Sequence, residues 1–147
     1  MKYHYTIGNY LLDIIKSGVL RVSTAATPRR REQAVWFSTN PLYEPTIAKM
    51  SLSMDGKLQA HDIKWTHDNC GGLVRIAIED RFAPHSWNAY VRLSKMNKRF
   101  AEVFMKVGIE VGSNPLEWYC CFYPLQSKHW LSIERFDWNK QTWNTIN

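Results

Sequence analysis

Tyr3-His4-Tyr5-Thr6, followed by Asn9-Tyr10-Leu11-Leu12-Asp13-Ile14-Ile15-Lys16-Ser17-Gly18, is the stretch whose reading decides the fold. Residues 2–6 are short and aromatic and alternate with polar positions, which predicts a strand. Leu11, Leu12, Ile14 and Ile15 fall at helical spacing. Gly18 stands where a helix ends, because glycine takes the left-handed conformation past the last turn at little cost. Outward from this strand and helix, residues 19–22 read as a brief strand. Residues 23–32 are small, polar and basic and read as a loop. Ala34-Val35-Trp36-Phe37-Ser38 predicts a second strand, closed by the turn pair Asn40-Pro41. Residues 45–51 suit a short helix, and residues 53–69 show no clear period. Residues 73–78 alternate around Arg75 and predict a strand.

Residues 86–107 carry the longest helical pattern. Trp87, Tyr90 and Val91, and then Phe100, Val103, Phe104 and Val107, recur at three and four, with Arg92, Lys95, Arg99 and Lys106 on another face. Gly108 and Gly112 are expected to end this element. Residues 118–123 and 129–136 read as closing strands. The order is mixed α+β without a regular βαβ alternation.

The 147 residues fit one domain across 1–147, since chains divide at roughly 100–200 residues per domain. Apolar residues at 45% and charged residues at 22% exclude a disordered chain. The formal charge is +6, and it is unevenly placed. Residues 1–31 carry a net +5, residues 92–106 a net +4, and the remainder a net −3. A polyanion is the partner such a balance favours. Cys70, Cys120 and Cys121 are odd in number, and two are adjacent within one predicted strand. That fits a reducing cytoplasm better than a disulfide framework. No uninterrupted apolar stretch reaches the roughly 18 residues of a membrane span.

Several chemistries are absent from the pattern. No glycine fingerprint of a dinucleotide fold, no phosphate loop and no His-Glu-x-x-His helix occurs. His61, His67 and Cys70 offer three zinc-type ligands without a fourth, at a spacing typical of no common site. They read as polar loop residues, and no metal is expected.

One constellation remains when the chain is read in order. His4 lies on the first strand, Trp36-Phe37-Ser38 on the second, and Glu117 opens the late apolar strand that runs through Trp118 to Tyr123. This order resembles the ADP-ribosyltransferase superfamily, most closely the branch with a histidine on its first strand. Poly(ADP-ribose) polymerases and bacterial toxins that modify DNA or messenger RNA belong to that branch. The resemblance spans residues 3 to about 134. It implies an α+β fold of two small packed β-sheets that form a split NAD cleft with flanking helices.

By the same resemblance, His4 with Thr6 would bind the adenosine-side ribose of NAD. Tyr5 matches a position whose backbone holds the nicotinamide amide, so its side chain must find another place. Trp36 and Phe37 with Ser38 would wall the nicotinamide pocket. Tyr43 is the nearest candidate for a further stacking tyrosine. Glu117 would be the catalytic carboxylate, with Glu134 as its rival. The reaction generates an oxocarbenium-like ribose, which a carboxylate close to the sugar hydroxyls stabilises. Each of these residues alone reads as ordinary core or surface; the joint order carries the case.

Arg29, Arg30 and Arg31 precede the second strand, where the implied fold places the NAD cleft. Such a triplet can clamp phosphates. Arg92, Lys95 and Arg99 could track a nucleic-acid backbone while exposed aromatics stack unpaired bases. The resemblance thus implies an effector that ADP-ribosylates RNA or single-stranded DNA, acting with an antitoxin protein in anti-phage defence. A protein-modifying transferase, an NAD-dependent RNA 2′-phosphotransferase and a non-catalytic basic nucleic-acid-binding module are the alternatives.

Overall fold

The computed structural model describes residues 1–24 and 29–146. The chain runs β1 (Lys2–Ile7), α1 (Leu11–Ser17), β2 (Val19–Leu20), β3 (Val35–Ser38), β4 (Met50–Leu52), β5 (Leu58–Ala60) and α2 (Ile63–Asn69). It continues through β6 (Leu73–Ile78), β7 (His85–Ser86), α3 (Trp87–Ser94), α4 (Lys98–Glu110), β8 (Trp118–Cys121), β9 (Leu125–Gln126), β10 (Trp130–Asp137) and β11 (Thr142–Thr145). The class is α+β with antiparallel sheets, and each predicted strand has its counterpart. Gly18 closes α1 at φ 63°, as its position in the sequence requires.

In place of two separate packed sheets, seven strands hydrogen-bond into one antiparallel sheet in the order β11-β10-β6-β1-β3-β8-β7. The join at its centre is slight. β1 pairs with β6 along its whole length, from Lys2 opposite Ile78 to Ile7 opposite Leu73. β3 likewise pairs with β8 from Val35 opposite Cys121 to Ser38 opposite Trp118. Between β1 and β3 the register holds only Tyr3 opposite Ser38. Two well-zipped halves therefore meet at one pair and part beyond it. Ribbons of β2 with β9 and of β4 with β5 complete the strands.

The period of two along β3 and β8 divides the core. Val35, Phe37 and Cys121 point to one face, among Leu20, Ile76, Ile78 and Leu125. Ala34 and Cys120 point to the other, among Trp87, Tyr90, Met96, Ala101 and Trp118, with Trp36 packed against them. Burial of each valine, leucine, isoleucine, phenylalanine or methionine among them contributes roughly 1.5–3 kcal/mol. α3 and α4 thus cover the second face of β3 and β8, and the cavity described below opens beneath them.

Three expectations are corrected. Residues 86–107 form two helices, not one. α3 ends at Lys95, which is left-handed at φ 53°. Met96 is buried against the core, and the Asn97 side chain accepts from Arg99 N–H at 2.9 Å to start α4. Gly108 lies inside α4 rather than at its end, because the Trp118 indole occupies the space a Cβ would need. The apolar residues of α4 are largely outside the core: Phe100 is 66% exposed and Val103 57%. Residues 45–51 form a 3-10 turn (Pro45–Ile47) and then β4, since the chain after Ala48 leaves helical geometry to pair with β5.

Candidate active site

Where β1 and β3 part, a cavity of about 360 Å³ opens between the sheet and the two helices. That lies within the roughly 300–1,000 Å³ usual for ligand sites. β1 contributes Tyr3, His4 and Tyr5; β3 contributes Trp36, Phe37 and Ser38. Trp87 and Tyr90 of α3, Phe104, Val107 and Gly108 of α4, and Trp118 of β8 close it. Glu44, Thr46 and Ile47 line it from the Pro45–Ile47 turn.

His4 bridges the gap between the halves. Its Nδ1 lies 2.8 Å from the carbonyl oxygen of Trp36. A carbonyl only accepts, so Nδ1 carries a proton and, in the neutral ring, Nε2 is an acceptor. Burial pushes the His4 pKa below its ordinary value, the Trp36 carbonyl opposes this, and the nearby charge of Lys49 adds to the lowering. The imidazole is therefore neutral at physiological pH, with one nitrogen ready to receive a hydroxyl. Phe37 holds the ring edge-on at 5.8 Å.

The Tyr5 side chain has found its place away from the backbone. Its hydroxyl donates to the Asn40 carbonyl, its ring packs on Trp143 at 5.7 Å, and burial drives its pKa upward. Ser38 is fully buried, and its hydroxyl accepts from Asn40 N–H at 3.1 Å. Trp36 meets Tyr90 edge-on at 4.5 Å, Trp87 lies 5.6 Å from Tyr90, and Trp87 meets Trp118 edge-on at 5.3 Å. The Tyr90 hydroxyl donates to the Glu32 carbonyl at 2.7 Å, and burial raises its pKa to about 12. It serves there as a neutral donor that ties α3 to the loop before β3.

Of the residues expected to bind NAD, the cavity wall gathers His4, Tyr5, Trp36, Phe37 and Ser38, whereas Thr6 and Tyr43 lie elsewhere. Thr6 is buried within β1, opposite Val74. Tyr43 stacks on Trp138 at 6.1 Å and meets Phe136 edge-on. Glu117 ends the 3-10 turn Pro115–Glu117, and its carbonyl accepts from Thr39 N–H at 3.0 Å. It is partly exposed and adjoins the wall only through its neighbour Trp118. Glu134 accepts from Arg75 Nε at 2.6 Å and from the Ser132 hydroxyl at 2.7 Å, a pairing that joins β6 to β10.

Glu44 is the carboxylate in the wall, and the sequence reading missed it. It is 6% exposed. Its Oε1 accepts from the Ser113 hydroxyl, from Thr46 Oγ1 at 2.9 Å and from Thr46 N–H at 3.3 Å. Ser113 in turn accepts from Trp118 Nε1 at 2.8 Å. The signal in the sequence was an acidic residue directly before Pro45, a usual way to start a helical turn.

Among the basic residues, Arg29, Arg30 and Arg31 are exposed and precede Glu32, whose carbonyl holds the cavity residue Tyr90. Thr27 and Pro28 lie outside the described residues. Arg92 lies on α3, Lys95 at the break and Arg99 on α4, all exposed, so they form no single helical stripe. His61 stacks on Trp65 and bonds Ser51, while His67 faces Asp68 at 3.0 Å. Among the described residues no helix is long and apolar enough to cross a membrane. No protein-family model, no curated protein and no solved structure matched the chain when compared with it.

Proposed function

We propose that this chain is an NAD-dependent ADP-ribosyltransferase with a nucleic-acid acceptor, RNA or single-stranded DNA. The observation that carries the reading is the convergence of His4, Tyr5, Trp36, Phe37 and Ser38 on one cavity. These residues come from two strands about thirty residues apart in the sequence, β1 and β3. NAD is the substrate in this reading. His4 Nε2 accepts a ribose hydroxyl, and the aromatic wall holds the nicotinamide ring and excludes water.

The reaction breaks the bond between the nicotinamide nitrogen and the ribose C1′. The bonding electron pair leaves with nicotinamide, and C1′ becomes oxocarbenium-like. A nucleophilic atom of the acceptor base forms the new bond to C1′, and its proton passes to a carboxylate or to solvent. Arg29, Arg30 and Arg31, which precede Glu32 and its bond to Tyr90, hold acceptor phosphates beside the cavity. The resemblance adds an antitoxin partner and a fold of the ADP-ribosyltransferase type to this reading.

Incubation with NAD labelled in the ribose, together with RNA, single-stranded DNA and cell protein, tests it. Label is expected in nucleic acid with release of nicotinamide. Label in protein alone would favour the protein-modifying alternative. Retained RNA binding without any transfer would favour the non-catalytic module.

A further inference from the structure

A buried carboxylate is normally matched by a cation, because desolvating an unpaired charge costs far more than burying a paired one. Glu44 breaks that expectation. All three hydrogen bonds to its side chain end on Oε1, and Oε2 is buried with no hydrogen-bond partner. Among the described residues it joins no ion pair, and no lysine or arginine lines the cavity with it. Its position is also imposed. Trp118 Nε1 can only donate, so the Ser113 hydroxyl must turn its own proton toward Glu44.

The rings of Trp36, Trp87, Tyr90 and Trp118 line the same cavity as this unmatched carboxylate. Aromatic faces attract cations, and more strongly where water is excluded. A small planar cation satisfies both features at once: its charge answers the unpaired carboxylate across the low-dielectric wall, and its ring packs among flat apolar walls. A neutral ring of equal size satisfies only the walls.

We propose that Glu44 and these rings form a binding site for a planar heteroaromatic cation of the N-alkylpyridinium class. The site discriminates the charged ring from its neutral counterpart through the Glu44 carboxylate. This deepens the transferase reading, since oxidised NAD carries an N-ribosylpyridinium, but it stands on burial and charge and requires no bond to break.

The test is calorimetric titration of the full chain with 1-methylnicotinamide, a cation, and with nicotinamide, its neutral relative. The expected result is binding of the cation about tenfold tighter. In Glu44→Gln the amide oxygen can take the three donors while the NH2 group replaces Oε2, so the preference is expected to vanish while nicotinamide still binds. Equal or weaker binding of the cation by the unaltered chain overturns the proposal, as does absence of binding by both rings. A preference that survives in folded Glu44→Gln overturns it too. The comparison on the unaltered chain decides the matter even if the variant fails to fold. Preferential cation binding with no transfer of labelled ADP-ribose to any acceptor would uphold this site and overturn the transferase reading.

Discussion

Replacing Ser113 with alanine removes one oxygen on which two buried groups depend. Ser113 is buried; it accepts from Trp118 Nε1 at 2.8 Å and donates to Glu44 Oε1. Without it the indole N–H loses its acceptor, and leaving a buried donor unpaired costs about 1–3 kcal/mol. Glu44 also loses a charge-assisted bond, of a kind worth about 1.5–3 kcal/mol. Glu44 retains both donors from Thr46, and partial relaxation makes the two losses less than additive. The net expectation is a loss of about 2–4 kcal/mol. Urea unfolding followed by tryptophan fluorescence measures it. With a slope near 2 kcal/mol per molar urea, the midpoint should fall by about 1–2 M. A fall of less than about 0.5 kcal/mol, the range of an ordinary surface substitution, would refute the idea that this chain of bonds holds Glu44 in place.

His4 gives a pH signature. Because its folded pKa lies below the ordinary 6.5, the unfolded chain takes a proton that the folded chain refuses as the pH falls. Its contribution is complete above about pH 6.5 and is lost as the pH falls toward the folded pKa, so the urea midpoint should drop more between about pH 7 and 5.5 in the unaltered chain than in His4→Gln. Parallel profiles for the two would contradict this assignment. Gly108→Ala would set a Cβ 2.4 Å from Trp118 Cη2, an overpacking cost of about 1–3 kcal/mol. A gain of up to about 1 kcal/mol in helix propensity offsets part of it. Thermal unfolding should show a lower Tm, and an unchanged or higher one would contradict the close packing of α4 on β8. Changing Arg29, Arg30 and Arg31 to glutamine should lower the slope of log K against log salt for single-stranded RNA by about 2 if all three meet phosphates. An unchanged slope would remove the triplet from the acceptor site.

The strands and the first helix were legible because their signals are local. Tyr3 to Thr6, Ala34 to Ser38 and Leu73 to Ile78 alternate or run apolar within themselves, and Gly18 marks its own helix end. The break at Lys95 was hidden because Trp87, Tyr90 and Val91 before it and Phe100, Val103, Phe104 and Val107 after it each keep helical spacing, and no glycine or proline stands between Val91 and Phe100. The geometry there is set by the burial of Met96, a tertiary contact, together with the local Asn97 cap. The open face of α4 was hidden for a similar reason: periodicity tells which residues share a face, not what covers it.

In the site, the residues on β1 and β3 could be named because both strands deliver them in sequence order. Glu44 could not. It reads as a turn residue, and its role depends on Ser113 and Trp118, some seventy residues later, meeting it across the cavity. Glu117 directly precedes β8 but is not among the residues that line the cavity, because position beside a strand does not by itself set which site a side chain joins.

In the proposed reading, the cavity between β1 and β3 transfers ADP-ribose from NAD. The most direct measurement is incubation of the full chain with ribose-labelled NAD and single-stranded RNA or DNA, scoring label on nucleic acid and nicotinamide released. Covalent label with nicotinamide in equal amount is expected, both lost in Trp36→Ala. Folded protein that binds nucleic acid yet yields neither label nor nicotinamide would contradict it.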